Sequence, residues 1–282
     1  MGEKNISLLV VSCYSYADVL KLLIRKLDAI YFFSIPFDSV YLATDIKSKE
    51  VDYKKMHFDE VIEGDAWGER VRNALKKINT EYCMVLLDDY IPTKPVNLDM
   101  IDSLLKVAED FDCIYLTSVF SDIGSSKKVA QLDGYVRVPD ELLYRVNSTV
   151  GIWKKDSLLK VLSDDDSPWE WEAFAGLGKK SKSMKFAAPI DETSQVYSYS
   201  YKTGGAVYRG AWVYSALTES GFDEDFIKSL DGRPVIRSLD RSKRPLSWKI
   251  NFLRRGYKMV GLGVVKFISY SYIKKIKNKF GK

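Results

Sequence analysis

Tyr82-Cys83-Met84-Val85-Leu86-Leu87-Asp88-Asp89-Tyr90 joins six mostly apolar residues to two adjacent carboxylates. An apolar run of this length, without polar alternation, reads as a strand buried on both faces, as in parallel sheets. Unpaired carboxylates are costly in a core. Asp88 and Asp89 therefore belong at the strand's carboxyl end, the edge at which open α/β sheets bind ligands. Paired hard oxygen ligands there suit Mg²⁺ or Mn²⁺ held against phosphate.

The same pattern recurs on either side of this run. Ile6 to Ser12 reads as a first buried strand, followed by a helical pattern from Tyr16 to Phe33. Val40 to Asp45 is a second strand ending on a carboxylate, and Val61-Ile62 a short third. Trp67 to Ile78 is a helix with Val71, Leu75 and Ile78 on one face. Met100 to Glu109 is a further helix, and Cys113 to Thr117 a strand. Alternation of this kind predicts an α/β domain built on a largely parallel sheet. Beyond residue 117 the pattern changes. Gly134 to Val138 and Val146 to Trp153 read as antiparallel additions, and Asp156 to Leu162 as a short helix. Ser167 caps and Pro168 opens a helix carrying Trp169-Glu170-Trp171-Glu172. Gly204-Gly205 precedes Arg209 in what reads as a mobile flap.

The composition removes several chemistries. With one histidine, His57, triads and metal sites built on histidine are out of reach. Three cysteines, Cys13, Cys83 and Cys113, lie far apart in apolar runs. That spacing is neither a disulfide framework nor a zinc knuckle, and it suggests buried thiols in a reducing cytoplasm. Met1 to Asn5 leads into the first strand with no apolar leader, so no secretion signal is expected. The net charge of +5 conceals an asymmetry. Thirteen of the 43 basic residues fall in 241–282, which has no Asp or Glu, leaving 30 basic against 38 acidic residues in 1–240. An acidic body with a basic tail points to an anionic surface as the tail's partner.

The order of these features resembles the GT-A fold nucleotide-sugar-dependent glycosyltransferases, in particular the bacterial surface-polysaccharide type. The resemblance covers about Ile6 to Trp212. It rests on Trp67-Gly68-Glu69-Arg70 leading into Leu87-Asp88-Asp89-Tyr90, and on Ser167-Pro168-Trp169-Glu170-Trp171-Glu172. It implies a GT-A-like (Rossmann-like) α/β fold with a mixed, mostly parallel sheet flanked by helices. Residues 1–240 would form the catalytic domain, with a nucleotide-binding half (1–117) and an acceptor-side half (118–240). The implied activity is inverting transfer of a sugar from a nucleoside diphosphate donor to a membrane-borne or lipid-linked glycan.

Roles follow residue by residue from the same resemblance. Ser12, Tyr14, Asp45, Arg70, Asp88 and Arg209 would bind the donor, and Asp89 with Asp88 a divalent cation. Where the family carries Asp-x-Asp this chain has Asp88-Asp89-Tyr90, which displaces one expected carboxylate. Glu172 or Glu170 would be the base. The two lie two residues apart on a helix and so point in different directions. Trp169 and Trp171 would stack on a sugar. A sugar nucleotidyltransferase and a non-catalytic, membrane-tethered assembly module are the alternatives. Against the former, Ser12-Cys13-Tyr14-Ser15-Tyr16 has no glycine to cradle a triphosphate.

The tail, 241–282, repeats apolar residues at three- and four-residue steps in two series, Leu253, Tyr257, Val260, Val264 and Phe267, and then Ile268, Tyr272, Ile276 and Phe280. Its least charged stretch, Met259 to Ile273, is too short to span a bilayer. A basic amphipathic helix lying in the interface is expected, on the inner face of the cell membrane, with no role in nucleic-acid binding.

Overall fold

The computed structural model describes residues 5–48, 51–120, 123, 126–240 and 244–270. The strands of the main sheet are β1 (Ile6–Val11), β2 (Phe37–Thr44), β3 (Glu60–Glu63), β4 (Tyr82–Leu87), β5 (Cys113–Tyr115), β6 (Tyr135–Arg137), β7 (Gly151–Lys154) and β8 (Phe186–Pro189). Their order is β3-β2-β1-β4-β7-β5-β8-β6. β3, β2, β1 and β4 run parallel. β7 enters antiparallel between β4 and β5, β8 runs parallel to β5, and β6 closes the edge antiparallel to β8. The mixed, mostly parallel sheet expected from the sequence is therefore present.

Alternation along β4 explains why its sequence is apolar throughout. Tyr82, Met84 and Leu86 face α1 (Ala17–Ala29), and Cys83 and Val85 face α2 (Trp67–Lys77). The first face is completed by α3 (Leu98–Val107), and the second by α4 (Lys155–Val161) and α5 (Pro168–Phe174). Ser167 caps α5 by accepting from Glu170 N–H, and Pro168 occupies its first turn, as expected.

Three expectations of local structure change, two of them in the second half. Val146 to Val150 are not strand. Asn147 turns the chain by accepting from Thr149 N–H (3.0 Å) and donating to Tyr144 O (2.9 Å), which diverts this polar run from a ladder. The flap segment contains a hairpin of β9 (Val207–Tyr208) and β10 (Ala211–Val213), and β10 is joined by β11 (Val235–Ile236). The helices α6 (Tyr214–Glu219) and α7 (Glu224–Lys228) follow β10. Cys83 and Cys113 are buried, but Cys13 is only half-buried.

The tail folds back on the body. α8 (Leu246–Val260) and the helical residues 264–270 enclose Phe174, whose ring meets Phe252 at 4.9 Å and Phe267 at 5.0 Å between centroids. Leu253, Val260, Val264 and Phe267 thus face the protein, while Tyr257 stays exposed. Lys243, Tyr272, Ile276, Phe280 and the lysines among 271–282 lie outside the described residues. Among the described residues no helix is long and apolar enough to cross a membrane.

Gly256 makes this docking possible, because a Cβ there would lie 2.5 Å from the Phe174 ring. Gly→Ala inside an open helix stabilises by about 1 kcal/mol. Gly256→Ala is expected to reverse that sign and cost about 1–3 kcal/mol by overpacking. A lower urea midpoint at unchanged m-value checks this, and a higher midpoint would contradict the packing.

Candidate functional site

The register of the sheet assembles the site. Val11 pairs with Leu87 and with Ala43, so the residues just past β1, β2 and β4 meet at one carboxyl edge. Ser12 Oγ there donates to Asp88 Oδ2. Asp45 accepts from Tyr14 N–H (2.6 Å) and Ile46 N–H (2.9 Å). These residues border a cavity of about 1160 Å³. Its opposite wall includes Ser148, Trp169 and Glu172, and the β9–β10 hairpin covers one side.

Burial sets the electrostatics. It pushes the Asp88 carboxyl up to about 7, although the Ser12 hydroxyl and the Arg233 charge pull the other way. Asp89 is raised well above the carboxylate range by burial and then by the charges of Asp88 and Glu172. Asp45 differs. Burial raises it, but the two backbone N–H groups and the Arg70 charge outweigh that and hold it low. Gly205, at φ 110°, lies against Asp89, where a Cβ would stand 2.6 Å from Oδ2. Ala206 N–H donates to Asp89 O at 2.8 Å, so the hairpin is hooked to the acidic pair by its main chain.

Glu172 faces the same cavity from α5. Its Oε1 accepts from Ser148 N–H (2.9 Å) and from Ser148 Oγ–H. Burial raises its pKa, and the two Ser148 hydrogen bonds oppose the rise. Tyr90, which stands where a further carboxylate was expected, is buried and stacks on Tyr199 at 4.1 Å. Its hydroxyl lies 3.1 Å from Ser148 Oγ. A chain of contacts therefore runs from the residue after Asp89, through Ser148, to Glu172.

Other expected positions fall elsewhere. Glu170 lines a separate pocket beside Asp165, Asp166, Lys180 and Arg255. Trp171 is core: its indole is 2% exposed and donates to Val161 O at 3.1 Å, so it cannot stack on a sugar. Trp169 is exposed at the cavity mouth. Tyr14 lines an adjoining narrow cleft with Lys21 and Tyr53. Arg70 reaches the cavity wall, but its nitrogens are spent on main-chain carbonyls: Ser12 O (2.8 Å), Asp65 O (2.9 Å) and Ala66 O (3.4 Å). It braces the end of β1, and its charge acts on the cavity through Asp45. Arg209 sits at the lip in the left-handed region (φ 51°) and pairs with Asp240 at 3.5 Å.

Sequence reasoning missed Ser148, Tyr90 and Tyr199 as parts of this wall. No local pattern distinguishes them, because Tyr90 and Ser148 are 58 positions apart.

A divalent cation can be tested against this arrangement. No cluster of three or more His, Cys, Asp or Glu suited to a metal occurs among the described residues. Asp88 is buried and Asp89 stands half-buried beside it at the same cavity, and Mg²⁺ commonly takes only one or two protein carboxylates beside phosphate and water. Asp88 and Asp89 fit such an ion.

No protein-family model matches the sequence. No curated protein matches it either. Solved structures with a similar fold include the bifunctional IspDF from Campylobacter jejuni (18% identity, TM-score 0.33, covering 58% of this chain and 44% of that one). Another is S. aureus TarS 1–349 (14% identity, TM-score 0.46, 68% and 59%). A third is a putative nucleotide-diphospho-sugar transferase from Desulfovibrio desulfuricans G20 (12% identity, TM-score 0.33, 61% and 68%). The chain thus spans less than two thirds of the first two, and the likeness is one of fold.

Proposed function

We propose that this chain is an inverting glycosyltransferase. It would move a sugar from a nucleoside diphosphate to a membrane-borne or lipid-linked glycan in cell-surface polysaccharide synthesis, at the inner face of the membrane. The carrying observation is that Glu172 and the Asp88–Asp89 pair, from different elements, face one cavity at the carboxyl edge of the sheet. Inversion requires a base across from the departing diphosphate, and a carboxylate with raised pKa suits that work.

In this reading Glu172 accepts the proton of an acceptor hydroxyl while that oxygen bonds to the anomeric carbon. The bond from that carbon to the diphosphate oxygen breaks, and the diphosphate departs with the electron pair. Ser148 fixes the orientation of Glu172. Trp169 offers an aromatic face for a sugar at the mouth, and Arg209 stands at the lip to meet negative charge. Asp88 and Asp89 would hold Mg²⁺ or Mn²⁺, which when bound would neutralise charge on the diphosphate.

Nucleotidyl transfer is the competing chemistry, and the turn after β1 lacks the glycine-rich cradle that it favours. A thermal-shift panel of nucleoside diphosphates with and without Mn²⁺ tests the donor site. A ligand at one hundred times its Kd stabilises by about 2.7 kcal/mol. One diphosphate is expected to raise Tm, and more so with Mn²⁺. Pyrophosphate release from a nucleoside triphosphate and a sugar phosphate, with no response to diphosphates, would overturn the assignment.

A further inference from the structure

α8 is apolar around more of its circumference than α5 covers. Phe252, Gly256, Met259 and Val260 form the arc turned toward Phe174 and Leu177. Leu246, Ile250 and Tyr257, spaced i, i+4 and i+11, continue that arc on the helix and lie in solvent. Leu246 is 71% exposed and Tyr257 60%. In and past the Gly261–Gly263 turn, Leu262, Val265 and Ile268 are exposed while Val264 and Phe267 turn inward. Single exposed apolar side chains are ordinary, but a continued stripe marks an interaction surface.

The charges beside the stripe select its partner. Lys249, Arg254 and Lys266 have no carboxylate partner among the described residues. The whole stretch 241–282 carries thirteen cations and no acid. A second copy of the chain, paired through a two-fold axis, would set these cations against themselves. Nucleic acid would meet the cations but leave the aliphatic stripe unused. An anionic bilayer surface accommodates both.

We propose that Leu246, Ile250 and Tyr257, extended by Leu262, Val265 and Ile268, form the face that enters an anionic leaflet, while the other half of the apolar arc clamps α8 to α5. This deepens the glycosyltransferase reading and rests on it for its purpose. Arg244 and Pro245, at the start of α8, also line the cavity that holds Asp88, Asp89 and Glu172. Docking through this stripe therefore brings the mouth, with its exposed Trp169, to the surface on which a lipid-linked acceptor resides.

The test is co-sedimentation of the full chain with vesicles of phosphatidylcholine alone or mixed with phosphatidylglycerol. The wild type is expected to bind the mixed vesicles, more weakly at high salt and more weakly still without the anionic lipid. A variant combining Ile250→Asp and Tyr257→Asp, both at exposed positions, is expected to lose at least about ten-fold in binding. It should keep the wild-type Tm and nucleotide-induced thermal shift. Equal binding by variant and wild type, or no preference for phosphatidylglycerol, overturns the proposal. So does a wild-type dimer in sedimentation velocity that the double substitution dissolves, which would assign the stripe to self-association. Vesicle binding that depends on the stripe, in a protein that binds no nucleotide, supports the docking face and sinks the catalytic reading alone.

Discussion

Glu172→Gln is expected to lower transfer to an acceptor by about 10²–10⁴-fold, the usual contribution of a positioned general base. Glutamine keeps the shape and can still accept from Ser148 N–H and Oγ–H, so the fold and the diphosphate-induced thermal shift should be unchanged. What is lost is the capacity to take a proton. Glu170→Gln is the control, since Glu170 borders a different pocket and should leave the rate near that of the wild type. The pH profile adds a sign. Burial raises the Glu172 pKa, so the carboxylate fills, and the rate climbs, as pH rises through that value. Ser148→Ala removes a hydroxyl that pulls the pKa down, and should shift the acid limb to higher pH while leaving the plateau closer to wild type. A Glu172→Gln enzyme with near-normal turnover, or a Ser148→Ala profile displaced toward acid, would remove Glu172 from the role of base.

How far the sequence carried this reading depended on whether a signal was local. β4 was legible because burial on both faces writes itself as an unbroken apolar run, and its end had to place Asp88 and Asp89 at an edge. The helix cap at Ser167 and Pro168 is equally local. Spacing showed that Glu170 and Glu172 diverge, but which one met the cavity depended on where α5 lay against the sheet. Trp171 deceived because an indole reads alike in a core and in a binding cleft. Its Val161 contact is visible only once the two segments are packed. β8 could not be read from Phe186-Ala187-Ala188-Pro189, a short run with weak strand preference that pairs only because β5 and β6 flank it. The tail's three- and four-residue steps marked a helix where α8 lies, but periodicity does not say which half of an apolar arc the protein claims. Gly256 was the one local hint, since a helix that admits glycine at its buried position is pressed closely against something.

Asp88→Asn is expected to stabilise the metal-free protein at pH 8 while abolishing the stabilisation by Mn²⁺ with a nucleoside diphosphate. The sign follows from linkage. Asp88 has an ordinary carboxylate pKa when unfolded and one of about 7 when folded, because burial disfavours its charge. Between those values the folded state holds the proton more tightly, so stability contributed by this group is complete below the unfolded pKa and drains away as pH rises toward 7. One pKa unit corresponds to about 1.4 kcal/mol, which makes the full loss a few kcal/mol. Asparagine carries no charge to bury and can still accept from the Ser12 hydroxyl, so the variant should lack this decline. In urea titrations at pH 5, 6, 7 and 8 with a chelator present, the wild type should weaken as pH rises and Asp88→Asn should stay flatter. The same logic makes Mn²⁺ compete with protons, so its effect on the wild-type Tm should be larger at pH 8 than at pH 5. A wild-type protein that instead gains stability from pH 5 to 8 without metal would mean that Asp88 is already neutralised by a neighbour. The costly burial of the Asp88 charge, and with it the cation site, would then have to be abandoned.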